Sequence, residues 1–244
     1  MEWHDDGIVV AARKHGESSA IVTLLTRDHG RHLGLVRGGA GRRKRGLFQP
    51  GNRVRATWRA RLADHLGSYS CEMAEAVSAP YLDDPDRLAV LSAACAVTDA
   101  ALPERESHTP VYDGLSVLLE SLSHDSWATV YVKWEVGLLQ ELGFGLDFSC
   151  CAATGVTENL NFVSPKSARA VSTEAAEPYK KSLLPLPAFL LASGQAGTPA
   201  AVLDGLKLTG YFLKKEVFSH SRSGTAPQAR DRLVERLRKS SAAG

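Results

Sequence analysis

Residues 53–61 read Arg-Val-Arg-Ala-Thr-Trp-Arg-Ala-Arg, so Arg53, Arg55, Thr57, Arg59 and Arg61 alternate with Val54, Ala56, Trp58 and Ala60. A period of two is the period of a strand, and no helix gathers such a run onto two clean faces. One face of this strand is apolar and the other almost entirely cationic. Any fold that accommodates it needs a dry interior on one side and a tolerated electropositive surface on the other.

Four further runs keep company with it. Residues 8–14 and 20–26 are rich in β-branched and aliphatic residues, and His15-Gly16-Glu17-Ser18 forms the turn between them. Residues 31–37 alternate basic and apolar side chains, with Leu33 and Leu35 assigned to one face and Arg31 and Arg37 to the other. Residues 68–77 supply a fifth, weaker strand. Five short strands at near-regular spacing, with no helix large enough to cover a sheet, favour a small closed barrel over residues 1–78. The OB-fold is the commonest five-stranded solution; an SH3-like barrel stays open on pattern alone.

The loop Gly38-Gly39-Ala40-Gly41-Arg42-Arg43-Lys44-Arg45-Gly46 is the sharpest local signal. Four consecutive cations repel one another, so the stretch is expected to be mobile until an anion neutralises it, and its glycines permit close approach to a phosphate backbone. Residues 1–61 carry 13 Lys/Arg against 5 Asp/Glu, whereas residues 62–244 carry 16 against 22. That split places a nucleic-acid-facing part on a mildly acidic body. The candidate contacts are Arg37, Arg42, Arg43, Lys44, Arg45, Arg53, Arg55 and Arg59, with Phe48 beside the loop and Trp58 on the core side. Solvation of strands and loop is the competing reading of the same charges.

From Pro80 the period changes to helical. Asp84-Pro85 caps a helix running to about Leu102, and Thr109-Pro110 opens a second with Leu115, Leu118, Leu119 and Leu122 inward. Asp125 caps a third, in which Val130, Trp134 and Leu138 share a face before Gly143. A fourth runs from Pro199 to about Ser219, and Pro227 opens a last one ending near Lys239. Residues 79–244 are therefore expected to form a helical domain, interrupted over about residues 148–172 by an irregular insert. The insert occupies the place of a zinc ribbon, but Cys150 and Cys151 have no second cysteine pair and no nearby histidine. A structural site needs four ligands, so no metal is expected.

No P-loop, GxSxG elbow, HExxH or paired-carboxylate turn occurs, which points to binding rather than turnover. No apolar run approaches a membrane span, and Met1-Glu2-Trp3-His4-Asp5-Asp6 is acidic where a signal peptide is basic, so the cytoplasm is the expected address. No cysteine pair has C-x-x-C spacing, which fits reduced thiols. Two alternatives stay open at this point. One is an RNA-modifying enzyme that uses a basic barrel as its substrate arm; the other is a structural RNA-binding module.

The order of these parts resembles the RecO family of bacterial DNA repair and recombination mediators. The residues that carry the resemblance are Gly7-Ile8-Val9-Val10 with Gly16-Glu17-Ser18-Ser19-Ala20-Ile21-Val22-Thr23, then Thr26-Arg27-Asp28-His29-Gly30, Arg37-Gly38-Gly39 and Leu47-Phe48-Gln49-Pro50-Gly51. Leu138-Leu139-Gln140-Glu141-Leu142-Gly143 and the segment from Phe162 to Val171 continue it. The resemblance implies an N-terminal OB-fold, a helical C-terminal domain, and binding of single- and double-stranded DNA with strand annealing. It also implies partnership with RecR and with the acidic tail of single-strand-binding protein, loading of RecA, no cofactor, and a place at the nucleoid. Capture of the tail is assigned to the helical domain, with Lys133 beside Trp134, or Lys214 and Lys215, as candidate contacts. Some members hold zinc through two C-x-x-C pairs; here Cys151 matches the first position, Thr154 stands at the second, and residues 167–172 lack the other pair.

Overall fold

β1 (Glu2–His15), β2 (Ser19–Thr26), β3 (Gly30–Val36), β4 (Arg53–Arg59) and β5 (Ser68–Glu75) close into a barrel in the order β1-β2-β3-β5-β4, with β4 returning to β1. The computed structural model describes residues 1–192, 196–220 and 225–243, and the side chains of Arg43, His220 and Ala243 lie outside the described set. The barrel shuts where β3 and β5 meet in parallel at Leu35 and Ser68, and Leu35 N–H donates to Gly67 O at 3.1 Å. Five strands in this Greek-key order make an OB-type barrel.

The alternation of β4 is realised as read. Val54, Ala56 and Trp58 point into the core, where they join Val9, Val22, Leu24, Val36, Phe48 and Tyr69. Burial of each large side chain contributes about 1.5–3 kcal/mol against chain entropy. The Trp58 indole N–H is satisfied by Leu66 O at 3.0 Å. β1 begins at Glu2, well before the apolar run at Ile8. Its acidic half is held by register rather than by burial: Glu2, His4 and Asp6 lie opposite Arg59, Thr57 and Arg55.

β3 corrects the face assignment made from sequence. His32, Gly34 and Val36 are buried, while Arg31, Leu33 and Leu35 are half-buried on the outside and Arg37 follows them, exposed. Residues two apart share a face, so both leucines and both arginines belong to the outer one. Gly34 is required inside, because a Cβ there would stand 2.4 Å from the Tyr69 ring.

Asp84 caps α2 (Pro85–Ala101) by accepting the Asp86 and Arg87 N–H groups at 3.1 and 3.0 Å. α2 lies against β1, with the Cys95 thiol donating to Val9 O at 3.6 Å. The segment between α2 and α3 (Thr109–Ser121) is tied to the barrel: Arg31 Nε donates to Leu102 O at 2.8 Å, and Arg105 N–H donates to Arg31 O at 2.8 Å. The first compact unit accordingly spans residues 1–119 and 227–233, reaching past residue 78.

The second unit comprises residues 120–226 and 234–244. It holds α4 (Trp127–Glu141), a small sheet of order β7-β6-β8, α6 (Pro199–Phe212) and the end of α7 (Gln228–Ala243). β6 (Leu160–Val163) and β7 (Ala170–Ser172) form within the expected irregular insert, and β8 (Leu184–Pro185) joins them from beyond it, with α5 (Thr173–Ala176) between β7 and β8. Strands of two to four residues are too short to show a period, which is why the sequence hides them. α4 takes Ser126 rather than Asp125 at its N-cap. Between α4 and α6, the fully buried Glu135 carboxylate accepts the Thr209 hydroxyl at 2.5 Å. Among the described residues no helix is long and apolar enough to cross a membrane.

Candidate nucleic-acid interface

The four-cation run forms one helical turn, α1 in chain order (Arg42–Arg45), instead of an open loop. Gly41 O accepts the N–H groups of Lys44 and Arg45 at 3.1 and 3.0 Å, which closes the turn. Arg42, Lys44 and Arg45 are exposed, and the side chain of Arg43 lies outside the described residues.

The turn is anchored at both ends. On its N-terminal side, Gly39 N–H donates to Val36 O at 3.2 Å and Ala40 N–H donates to Ser18 O at 2.9 Å, so the turn sits by the β1–β2 connection. Lys44 Nζ reaches Arg37 O at 3.3 Å. On its C-terminal side, the buried Asn52 side chain donates to Gly46 O at 2.9 Å and accepts the Ser78 N–H and hydroxyl at 3.2 and 3.1 Å. Asn52 is a positioning residue that sequence reasoning missed; a lone asparagine after a glycine reads as a turn residue, and only the fold reveals what its amide joins.

Charge is distributed unequally between turn and sheet. Among the described residues, Arg37, Arg42, Lys44 and Arg45 enter no ion pair. On β4, Arg53 and Arg59 are paired. Arg59 binds Glu2 at 2.8 Å, which holds the Glu2 carboxyl below its usual range. Arg53 Nε lies 3.3 Å from Glu75 and its guanidinium reaches Ser116 O at 3.4 Å. Arg55 stands in register between Asp6 on β1 and Glu72 on β5. The outer face of β4 is therefore a mixed-charge ladder stabilised by cross-strand pairs, in place of the continuous cationic track that the strand alone suggested. The acidic partners lie outside the alternating run, in two neighbouring strands.

The other side of the turn offers a different surface. Ile21 pairs with Leu35 across β2 and β3, Arg13 pairs with Ile21 across β1 and β2, and Leu33 and Arg37 continue the same outer face. Ile21, Leu33 and Leu35 are half-buried, and Arg13 and Arg37 are exposed. This short aliphatic strip lies on the β2–β3 face that OB-folds use for oligonucleotides, at its Ile21–Leu35 end; further along the same face Thr23 and Leu25 are 1% and 0% exposed. Sequence reasoning overlooked it because the leucines had been put on the wrong side of β3.

The aromatic side chains of the barrel are inside or engaged. Phe48, read as lying beside the loop, is 4% exposed and belongs to the core. Trp3 stacks on His29 with centroids 4.1 Å apart and on Trp58 at 5.7 Å. His32 is buried against these rings, its Nδ1 lying 3.0 Å from the Tyr69 hydroxyl. Burial, with the Arg105 charge nearby, pushes the His32 pKa down to about 4.

In the second unit, Lys133 is half-buried beside the buried Trp134, while Lys214 and Lys215 are exposed and Lys215 is paired with Glu216 at 2.6 Å. A groove there, of about 420 Å³, is lined by Asp125, Thr129, Pro199, Val202 and Leu237 among others, and by none of these lysines. Around the insert, Cys151 is buried and its sulfur accepts the Ser172 N–H at 3.3 Å, while Arg169 bridges Asp147 and the Cys150 sulfur at 3.2 and 3.4 Å. Among the described residues no three His, Cys, Asp or Glu side chains gather to hold a metal.

Two family models match the chain. One, described as the N-terminal part of recombination protein O, covers residues 1–77, and one described as its C-terminal part covers residues 82–224. The DNA repair protein RecO of Rhodospirillum centenum is 53% identical over 98% of this chain and 96% of its own length. The protein of the same name from Rhodospirillum rubrum is 52% identical over 100% of this chain and 99% of its own. That of Phenylobacterium zucineum is 51% identical over 97% and 98% respectively.

Proposed function

The chain belongs to the RecO family of DNA repair proteins, and from that premise we propose that it works by binding single- and double-stranded DNA and annealing complementary strands, without chemical turnover. The observation that carries this reading is the cationic turn Arg42–Arg45, beside the outer face of β2 and β3, in which Arg42, Lys44 and Arg45 are exposed and, among the described residues, enter no ion pair. Phosphates neutralise such a turn and release counterions, which supplies sequence-independent affinity. Arg37 extends the contact along the barrel, whereas Arg13 is already paired with Asp99 at 3.6 Å. Arg53 and Arg59 contribute less in this proposal, because their charge is already met by Glu75 and Glu2.

The same proposal places the protein in the bacterial cytoplasm, handling DNA coated by single-strand-binding protein together with RecR so that RecA is loaded. The apolar groove of the helical unit is the proposed seat of the single-strand-binding protein's tail, with Lys133, Lys214 and Lys215 outside its lining. The test is annealing of complementary strands coated with single-strand-binding protein, with no nucleotide present. Acceleration by the purified protein is expected; annealing at the uncatalysed rate refutes the proposal.

A further inference from the structure

Binders that grip bases do so with aromatic rings, each stacked base being worth roughly fivefold to over a hundredfold in affinity. This barrel has four Phe, Trp or Tyr residues within residues 1–78, and their placement is uniform. Phe48, Trp58 and Tyr69 are 4%, 2% and 6% exposed. Trp3, the half-buried fourth, is stacked on His29 and Trp58 and meets the edges of His32 and Tyr69. The accessible end of the outer face of β2 and β3 carries Ile21, Leu33 and Leu35, aliphatic side chains without a π-face, with Arg37 and the cationic turn beside it, while Thr23 and Leu25 further along are buried and Arg13 is paired with Asp99.

We infer that the barrel holds a single strand by its sugar–phosphate backbone alone and leaves the bases unstacked and available for pairing. The inference rests on the nucleic-acid reading above and adds the mode of contact. Cations at Arg37, Arg42, Lys44 and Arg45 take phosphates, the aliphatic strip accommodates sugars, and nothing on the face competes with a complementary strand for the bases. A strand held in this way is presented for annealing; a strand stacked on rings must first be peeled away.

The experiment compares the full-length protein's affinity for an oligothymidylate and for the same oligomer carrying abasic sites throughout its central half. The two Kd values are expected to agree within about threefold. A loss of more than about tenfold on the abasic oligomer overturns the inference while leaving the nucleic-acid reading intact, and failure to bind either oligomer overturns both. Leu35→Trp provides the localising variant, since its side chain is already outward and half-buried. The new ring should tighten oligothymidylate binding at least fivefold and leave the abasic oligomer unchanged. If Leu35→Trp folds and alters neither affinity, the strand does not lie on this face and the inference fails.

Discussion

Acidification should weaken the barrel through one histidine. His32 is 3% exposed, packed among Trp3, Trp58 and Tyr69, and its ordinary pKa of 6.5 falls to about 4 because burial penalises the imidazolium and Arg105 repels it. Between those two values the unfolded chain binds a proton that the native barrel refuses. More protons on the unfolded side means that stability rises with pH, so this contribution is complete above about pH 6.5 and is lost as pH falls toward about 4. The span corresponds to at most about 3 kcal/mol, a large share of a typical folding free energy. The assay is urea denaturation of the wild type and His32→Gln at intervals from pH 7 to pH 4. Other titrations largely cancel in the difference between the two proteins. The wild type should lose its advantage over the variant progressively below pH 6.5; a difference that stays flat across this range would refute the burial argument.

Other outcomes follow from the same packing. Gly34→Ala should cost about 1–3 kcal/mol in denaturant titration, because the new methyl group collides with the Tyr69 ring and overpacks the core. Asn52→Ala should cost about 1–3 kcal/mol, since it strands the buried Ser78 N–H and hydroxyl and removes the tie to Gly46, and thermal unfolding will read the loss. The change Arg59→Ala should raise the Kd for single strands by less than about threefold in fluorescence anisotropy, because Glu2 already answers that charge. Elemental analysis of purified protein should find well under one zinc per chain, and chelators should leave its melting temperature unchanged.

The barrel was legible wherever burial writes itself as a period. Val54, Ala56 and Trp58 announced the inner face of β4 because nothing else in a soluble chain produces that alternation. The first half of β1 was invisible for the opposite reason: Glu2, His4 and Asp6 are held by partners some fifty residues away, and local sequence does not record a register. The same blindness turned the cationic face of β4 into a track when it is a ladder. Leu33 and Leu35 were misassigned although their spacing from Arg31 and Arg37 placed all four together; their half-burial on the outer face of a barrel resembles core only if outward apolar residues are ignored. The short strands of the insert were hidden by their length. Asn52 and the rings around His32 owe their roles to contacts that exist only once the barrel has closed.

The central claim is that the turn Arg42–Arg45 grips phosphates, and the salt dependence of single-strand binding tests it most directly. Each neutralised phosphate contributes about −0.7 to the slope of log affinity against log salt. Replacing Arg42, Arg43, Lys44 and Arg45 together by Ala should flatten that slope by about two to three, weaken binding on all sequences alike, and leave the denaturation midpoint nearly unchanged, because α1 is exposed and enters no ion pair among its described side chains. A folded quadruple variant with the wild-type affinity and slope would contradict the account.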